Sequence, residues 1–138
     1  MSAPDEITNL LTAARANAVD LTKPIPEIEA EIFDLVSTFE ARLQHHFKRG
    51  PFFKKLRALL VENGNTTLAD SVHHYAQAVN VLKHGTGASY RELKSAGDLP
   101  FKLHIPAGNI RLIDVAKGGF YAGLVDTLDQ AHMFLIRR

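Results

Sequence analysis

An asparagine and a histidine lie one helical turn apart near the end of a predicted helix, and they are the residues best suited to chemistry. The helix is predicted over residues 68–85, and Asn80 and His84 fall on its polar face. An imidazole can act as a general acid or base, and a neighbouring amide can orient a phosphate or a ribose hydroxyl. We therefore take Asn80 and His84 as the candidate catalytic pair, at a helix C-terminus whose dipole favours positive charge.

The same helix has two opposed faces. Its predicted buried face is formed by Leu68, Val72, Tyr75, Val79 and Leu82. Its polar face is formed by Asp70, His73, Gln77, Asn80 and His84. His73 and Lys83 neighbour the candidate pair, and Arg91 follows in the next predicted helix. These three are the candidate substrate-binding residues.

Two other interpretations of these polar residues stay open. In the first, His84 caps the last helix carbonyls and Asn80 bonds within the fold, so that the polar face only seals an interface of a structural or protein-interaction domain. In the second, less favoured, the spacings Asp70–His73 and Asp129–His132 provide metal ligands from two helices. Further ligands would then come from Glu29, Glu40 or His45. Because aspartate is shorter than the glutamate of such sites, we predict no metal ligand.

Composition excludes several classes of protein. The 138 residues suit one domain, residues 1–138, and contain no cysteine, which excludes disulfides and cysteine-ligated zinc. A net charge of +1 is not that of a polycationic nucleic-acid binder, although residues 42–57 hold six cations and no acid. No apolar run approaches the roughly 18 residues of a membrane span. The acid-containing N-terminus does not resemble a signal peptide, so we expect a cytoplasmic protein that does not engage membranes.

Helical periodicity predicts the elements that position the candidate pair. Long helices are expected at about residues 4–19, 26–48, 68–85 and 120–138, with shorter ones at 52–62 and from Ser89. Thr66 or Thr67 is expected to cap the fourth helix, and Ser89 to open the next as a capping box. Apolar runs at 101–105 and 110–115 flank a turn and predict a small β-hairpin. The fold class is therefore mainly α, an antiparallel bundle with a short helix and this hairpin before the last helix.

The segment Asn80-Val81-Leu82-Lys83-His84-Gly85 resembles a motif of the HEPN superfamily, in which a helix ends in Arg-Asn-x-x-x-His. The resemblance implies a compact helical domain that forms a homodimer with its two motifs facing each other. The Phe-rich apolar stripe of the second helix also favours a homodimer. Many members are metal-independent endoribonucleases of defence or toxin–antitoxin systems, and others are inactive binding modules.

One residue departs from the motif. Val79 stands where the family has its arginine, the residue thought to bind the scissile phosphate. We therefore expect a HEPN-like domain that binds RNA or a cognate protein, and we expect standard ribonuclease activity to be lost. The chain also lacks the glycine-rich nucleotide-binding motifs, so neither a nucleotide nor any other cofactor is predicted.

Overall fold

The computed structural model describes residues 3–138, with side chains from Glu6 onward. Within that range the chain forms six α-helices and one 3₁₀ turn, Gln44–His46. The helices are α1 (Ala3–Asn17), α2 (Ile25–Leu43), α3 (Phe52–Glu62), α4 (Thr66–His84), α5 (Ala88–Ser95) and α6 (Phe120–Arg137). The predicted mainly α class is confirmed.

Helix α4 lies at the centre of the fold. It packs against α2, α3, α5 and α6, while α1 packs against α2 and α6. The predicted apolar face of α4 is buried at Leu68, Val72, Tyr75 and Val79. Gln77, predicted on the polar face, is also buried. Because α4 is covered on several sides, its polar face is partly an internal surface.

Most helix boundaries agree with the periodicity, and α2 shows the largest difference. It ends at Leu43 rather than Lys48, and the 3₁₀ turn follows. Phe47 is extended, with φ −128° and ψ 138°, and its ring packs edge-on against Phe52 at 5.7 Å. The chain thus leaves the helix early because Phe47 joins the aromatic cluster of α2 and α3.

The predicted helix caps are wrong. Asn65 precedes α4 and Gly87 precedes α5, and neither helix has a side-chain capping hydrogen bond. Thr66 and Ser89 instead lie inside the first turns of these helices. The Ser89 hydroxyl is 3.4 Å from the Asn80 amide, so it contacts the neighbouring helix rather than its own N–H groups.

The predicted β-hairpin is also wrong, since the described chain contains no strand. Residues 96–119 form a long connection with one cross-link, from the His104 N–H to the Leu112 carbonyl at 2.8 Å. Pro106 has no N–H to donate, and an isolated two-stranded pairing has little stability. The side chains of Phe101, Ile113 and Val115 are buried in the common core, so packing against helices replaces strand pairing.

Two observations bear on the expected surroundings of the chain. None of the helices in residues 3–138 is long and apolar enough to cross a membrane. The apolar stripe of α2 is buried at Ile28, Ile32, Leu35 and Phe39. Because this stripe lies in the core of a single chain, it no longer supplies a reason for dimerisation.

Candidate functional site

The connection between α4 and α5 creates the candidate site. Gly85 ends α4 with φ 72°, a conformation that glycine adopts without steric cost. Its N–H donates to the Val81 carbonyl at 2.8 Å, and the Gly87 N–H donates to the Gly85 carbonyl at 2.9 Å. This tight connection turns the chain back, so that α5 packs against the polar face from Asn80 to His73.

Asn80 and His84 line one cavity of about 340 Å³ at this junction. The remaining wall is formed by Gly85, Gly87, Ala88 and Ser89. The Asn80 amide donates to the Ser89 hydroxyl at 3.4 Å, and the His84 side chain is exposed. None of these lining residues is acidic. An imidazole, an amide, a hydroxyl and the first N–H groups of α5 therefore surround a space suited to an anion.

The three predicted substrate-binding residues do not line this cavity. The Lys83 ammonium lies 5.6 Å from the centre of the Phe33 ring, a cation–π arrangement on the side toward α2. Arg91 is exposed on α5. His73 lies further back along α4 and is bonded to α5. Only the candidate pair itself is brought together.

The middle of the polar face is an interface between α4 and α5. The Nε2 atom of His73 is 3.0 Å from the Glu92 carboxylate, and Gln77, one turn further along α4, is buried. The hydrogen bond with His73, supported by one with Gln77, lowers the pKa of Glu92 below the ordinary 4.5. Much of the polar pattern that identified the helix therefore serves to attach α5.

Val79 occupies the core, as its place on the apolar face predicts. It is 3 % exposed and lies with Val72, Tyr75 and Leu124 between α4 and α6. A charged side chain there would be buried without a partner, which is strongly unfavourable. The absence of the motif arginine thus agrees with the packing of α4.

The carboxylates of the two aspartate–histidine spacings are each paired with an arginine. Asp70 lies 3.9 Å from Arg57, and Asp129 lies 3.3 Å from Arg15. The residues that the structure describes contain no group of three or more histidine or acidic side chains able to hold a metal ion. His132 is 2 % exposed, its Nε2 atom has no hydrogen-bond partner among the residues that the structure describes, and burial lowers its pKa.

Two of the three residues expected as further metal ligands make other contacts. Glu29 lies 3.5 Å from Arg111, and the Nδ1 atom of His45 lies 3.0 Å from the Arg42 carbonyl.

Two cations of the basic segment, residues 42–57, are paired with acids: Arg42 with Glu6 at 2.7 Å and Arg57 with Asp70 at 3.9 Å. The segment is therefore less positive as a surface than its composition indicates.

Sequence reasoning missed a second, larger cavity of about 580 Å³ in the connection between α5 and α6. Phe101, Lys102, Arg111, Lys117 and Phe120 are among the residues that line it. The signal was present as cations spaced along an apolar segment, but the hairpin interpretation assigned those residues to strands.

Comparison of the chain with models of protein families, with curated proteins and with solved structures finds no match.

Proposed function

We propose that the chain is a HEPN-like domain whose Asn80–His84 cavity binds a phosphate of single-stranded RNA without standard ribonuclease activity. The observation that carries this proposal is the shared cavity, in which both side chains meet the N-terminus of α5. Exposed imidazole and backbone N–H groups suit a phosphate, which carries negative charge and accepts hydrogen bonds. The absence of an acid from the cavity lining removes one source of repulsion.

The loss of nuclease activity follows from the chemistry of the missing group. Cleavage of RNA needs a group that takes a proton and another that stabilises charge developing on the phosphate. His84 can exchange a proton, but Val79 supplies no charge and Lys83 lies over Phe33. Binding without efficient cleavage is the outcome that these residues favour.

The resemblance supplies the wider setting of the proposal. A HEPN-like chain would pack its helices as an antiparallel bundle, form a homodimer with two such cavities facing each other, and act in the cytoplasm. It would serve a defence or toxin–antitoxin system, in which a cognate protein is an alternative partner to RNA. Light scattering during size-exclusion chromatography tests the dimer directly.

A second candidate function is purely structural, and a specific observation favours it. His73 and Asn80 on the polar face are bonded to Glu92 and Ser89 of α5. If the polar face of α4 serves only to attach α5, the chain is a structural or protein-interaction domain with no RNA site. His84, which has an exposed side chain and no α5 partner among the described contacts, distinguishes the two functions.

The test measures binding of a short fluorescein-labelled single-stranded RNA by anisotropy, with EDTA present, to wild-type protein and to H84A. The RNA proposal predicts binding that weakens between about 50 and 200 mM salt, because phosphate contacts release counterions. It also predicts about tenfold weaker binding by H84A, since hydrogen bonds to charged groups contribute about 1.5–3 kcal/mol. Gel analysis of the same samples reports cleavage.

The matched control is H45A, which removes another exposed histidine from within the basic segment. Loss of binding in H45A with H84A unchanged would move the RNA site to that segment, and equal loss in both variants would show binding without a defined site. Either result would contradict the proposal. Binding that is absent in the wild type would leave the structural function. Cleavage by wild type that disappears in H84A would contradict the predicted loss of ribonuclease activity while supporting the site.

A further inference from the structure

The connection between α5 and α6 is a long ordered segment that encloses its own cavity. The Tyr90 hydroxyl donates to the His104 carbonyl at 3.2 Å, and Arg111 lies 3.5 Å from Glu29 of α2. The His104 N–H to Leu112 bond closes the segment on itself. Ordered connections longer than about 15 residues without secondary structure are commonly functional. This segment is thus held to two helices and to itself around an open space.

The floor of this cavity is apolar and aromatic. Phe101, Ile113 and Phe120 are 8 %, 2 % and 2 % exposed, so their positions are held by the core. The rings of Phe101 and Phe120 pack edge to face, with centroids 5.3 Å apart. The volume of about 580 Å³ falls among those of small-molecule sites, roughly 300–1,000 Å³. A ring that enters the cavity can therefore contact the small exposed parts of these rigidly held side chains.

The rim of the cavity is cationic. Lys102 and Lys117 are exposed, and neither ammonium has an ion-pair or hydrogen-bond partner in the described part of the chain. Arg111 adds a third cation, shared with Glu29. The one lining carboxylate, Asp114, already accepts the Ala116 N–H at 3.0 Å. Two unpaired ammonium groups beside an aromatic floor are complementary to a ligand with both a ring and a multiple negative charge.

The backbone beside the rim also favours an oxyanion. Gly118 lines the cavity, and Gly118 and Gly119 have φ of 67° and 70° immediately before α6 begins at Phe120. A side chain is strained at such φ values, so these glycines leave space beside the first turn of α6. The Phe120 N–H already donates to the Lys117 carbonyl at 3.4 Å, so a ligand would use the N–H groups of the next two residues. Helix N-termini bind phosphate through these groups. This contribution adds to that of the two lysines.

We infer that this cavity binds a small phosphate monoester that carries an aromatic ring, with the ring against Phe101 and Phe120 and the phosphate at Lys102 and Lys117. A dianionic phosphate matches two unpaired ammonium groups better than a monoanionic carboxylate does. The site shares no residue with the Asn80–His84 cavity. It therefore stands independently of the proposed RNA function, and it lies outside the motifs on which the absence of a nucleotide was predicted.

The experiment titrates the whole chain with adenosine 5′-monophosphate by isothermal calorimetry, with adenosine and inorganic phosphate as partial ligands. We expect saturable binding of the monophosphate and at least about tenfold weaker binding of either partial ligand, because each lacks one half of the contacts. The double variant K102Q/K117Q should bind the monophosphate about tenfold more weakly or worse, as charge-assisted hydrogen bonds are lost.

The matched control is K54Q/K94Q, which removes two exposed lysines from α3 and α5 and should bind like wild type. All four substituted lysines are exposed, so we expect folding to be preserved, which circular dichroism checks. No binding by wild type, equal binding by K102Q/K117Q, or equal weakening by K54Q/K94Q would each overturn the inference. H84A should bind the monophosphate like wild type, which separates this result from that of the RNA test.

Discussion

The two sides of α4 are built from different chemistry. Toward α6, the Tyr75 ring contacts Phe101 and Phe120 at centroid distances of 5.2 and 5.5 Å. Toward α5, His73 and Asn80 make polar contacts of 3.0 and 3.4 Å. The side chains on the first side are buried, whereas His73 and Glu92 on the second side are 26 % and 62 % exposed.

This difference separates stability from binding. Burial of apolar rings contributes most of the free energy of folding, whereas exposed polar pairs contribute little. A polar interface is nevertheless useful, because its last turn can remain open to a ligand without exposing the core. The predictions below test this division, beginning with the largest expected effect.

The first prediction removes a ring from the apolar side. F120A should lower the free energy of unfolding by about 3–5 kcal/mol, as found for large-to-small changes in packed cores. Phe120 is 2 % exposed and packs against both Tyr75 and Phe101. Urea unfolding measures the change, with I136A at a 44 % exposed position as the control. Similar losses of unfolding free energy in F120A and I136A would contradict the claim that the apolar side of α4 provides most of the stability.

The second prediction adds a methyl group to the packed contact between α4 and α6. A Cβ at Gly123 would collide with the Tyr75 hydroxyl. G123A should therefore cost about 1–3 kcal/mol of overpacking, which exceeds the roughly 0.5–1 kcal/mol that alanine gains over glycine within a helix. Adding Y75F removes the colliding oxygen and should recover part of the loss in a double-mutant cycle. A G123A protein more stable than wild type would show that α4 and α6 are loosely packed there.

The third prediction contrasts two histidines. The buried Nε2 atom of His132 has no hydrogen-bond partner among the described residues, whereas His73 is bonded to Glu92. Burial lowers the pKa of His132 below 6.5, so the unfolded chain binds a proton that the folded chain does not. Stability is therefore greatest above pH 6.5 and falls as the pH is lowered through 6.5 toward the folded-state pKa. His46 and His74, whose pKa values are also lowered mainly by burial, contribute in the same direction.

H132L should make the loss of stability at low pH less steep. At pH 7 it should be at least as stable as wild type, because a buried nitrogen without a partner costs about 1–3 kcal/mol. Thermal unfolding between pH 7 and 5 measures both effects, and H84Q, at an exposed histidine, is the matched control. A steeper acid loss in H132L would contradict the assignment.

The fourth and smallest effect concerns the polar side. Since the pKa of Glu92 is lowered by His73, its contribution is present above pH 4.5 and is lost as the pH falls through the folded-state pKa. The Glu92 side chain is 62 % exposed, so E92Q should cost less than about 1 kcal/mol at pH 6. E62Q, at an exposed glutamate of α3, is the matched control. A loss approaching that of F120A would mean that α5 is as important to stability as α6.

Local pattern explains why so much of the fold was predictable. The 3.6-residue period places Leu124, Leu128, Ala131 and Leu135 on one face of α6, and all four are buried. The same period predicts the burial of Val79. It does not distinguish a strand from an ordered irregular segment, so the prediction of a strand at residues 101–105 is wrong. Nor does it report that α5 folds back, which converts His73 and Gln77 from an open surface into an interface.

The sequence by itself determined the helices, the core face of α4 and the adjacency of Asn80 and His84, because residues four apart on a helix meet whatever surrounds them. Only the tertiary structure decided that Ser89 would complete their cavity, that His73 would pair with Glu92, and that two lysines would border an aromatic floor. These contacts join residues distant in the chain, and their geometry depends on how whole helices and a long connection pack together.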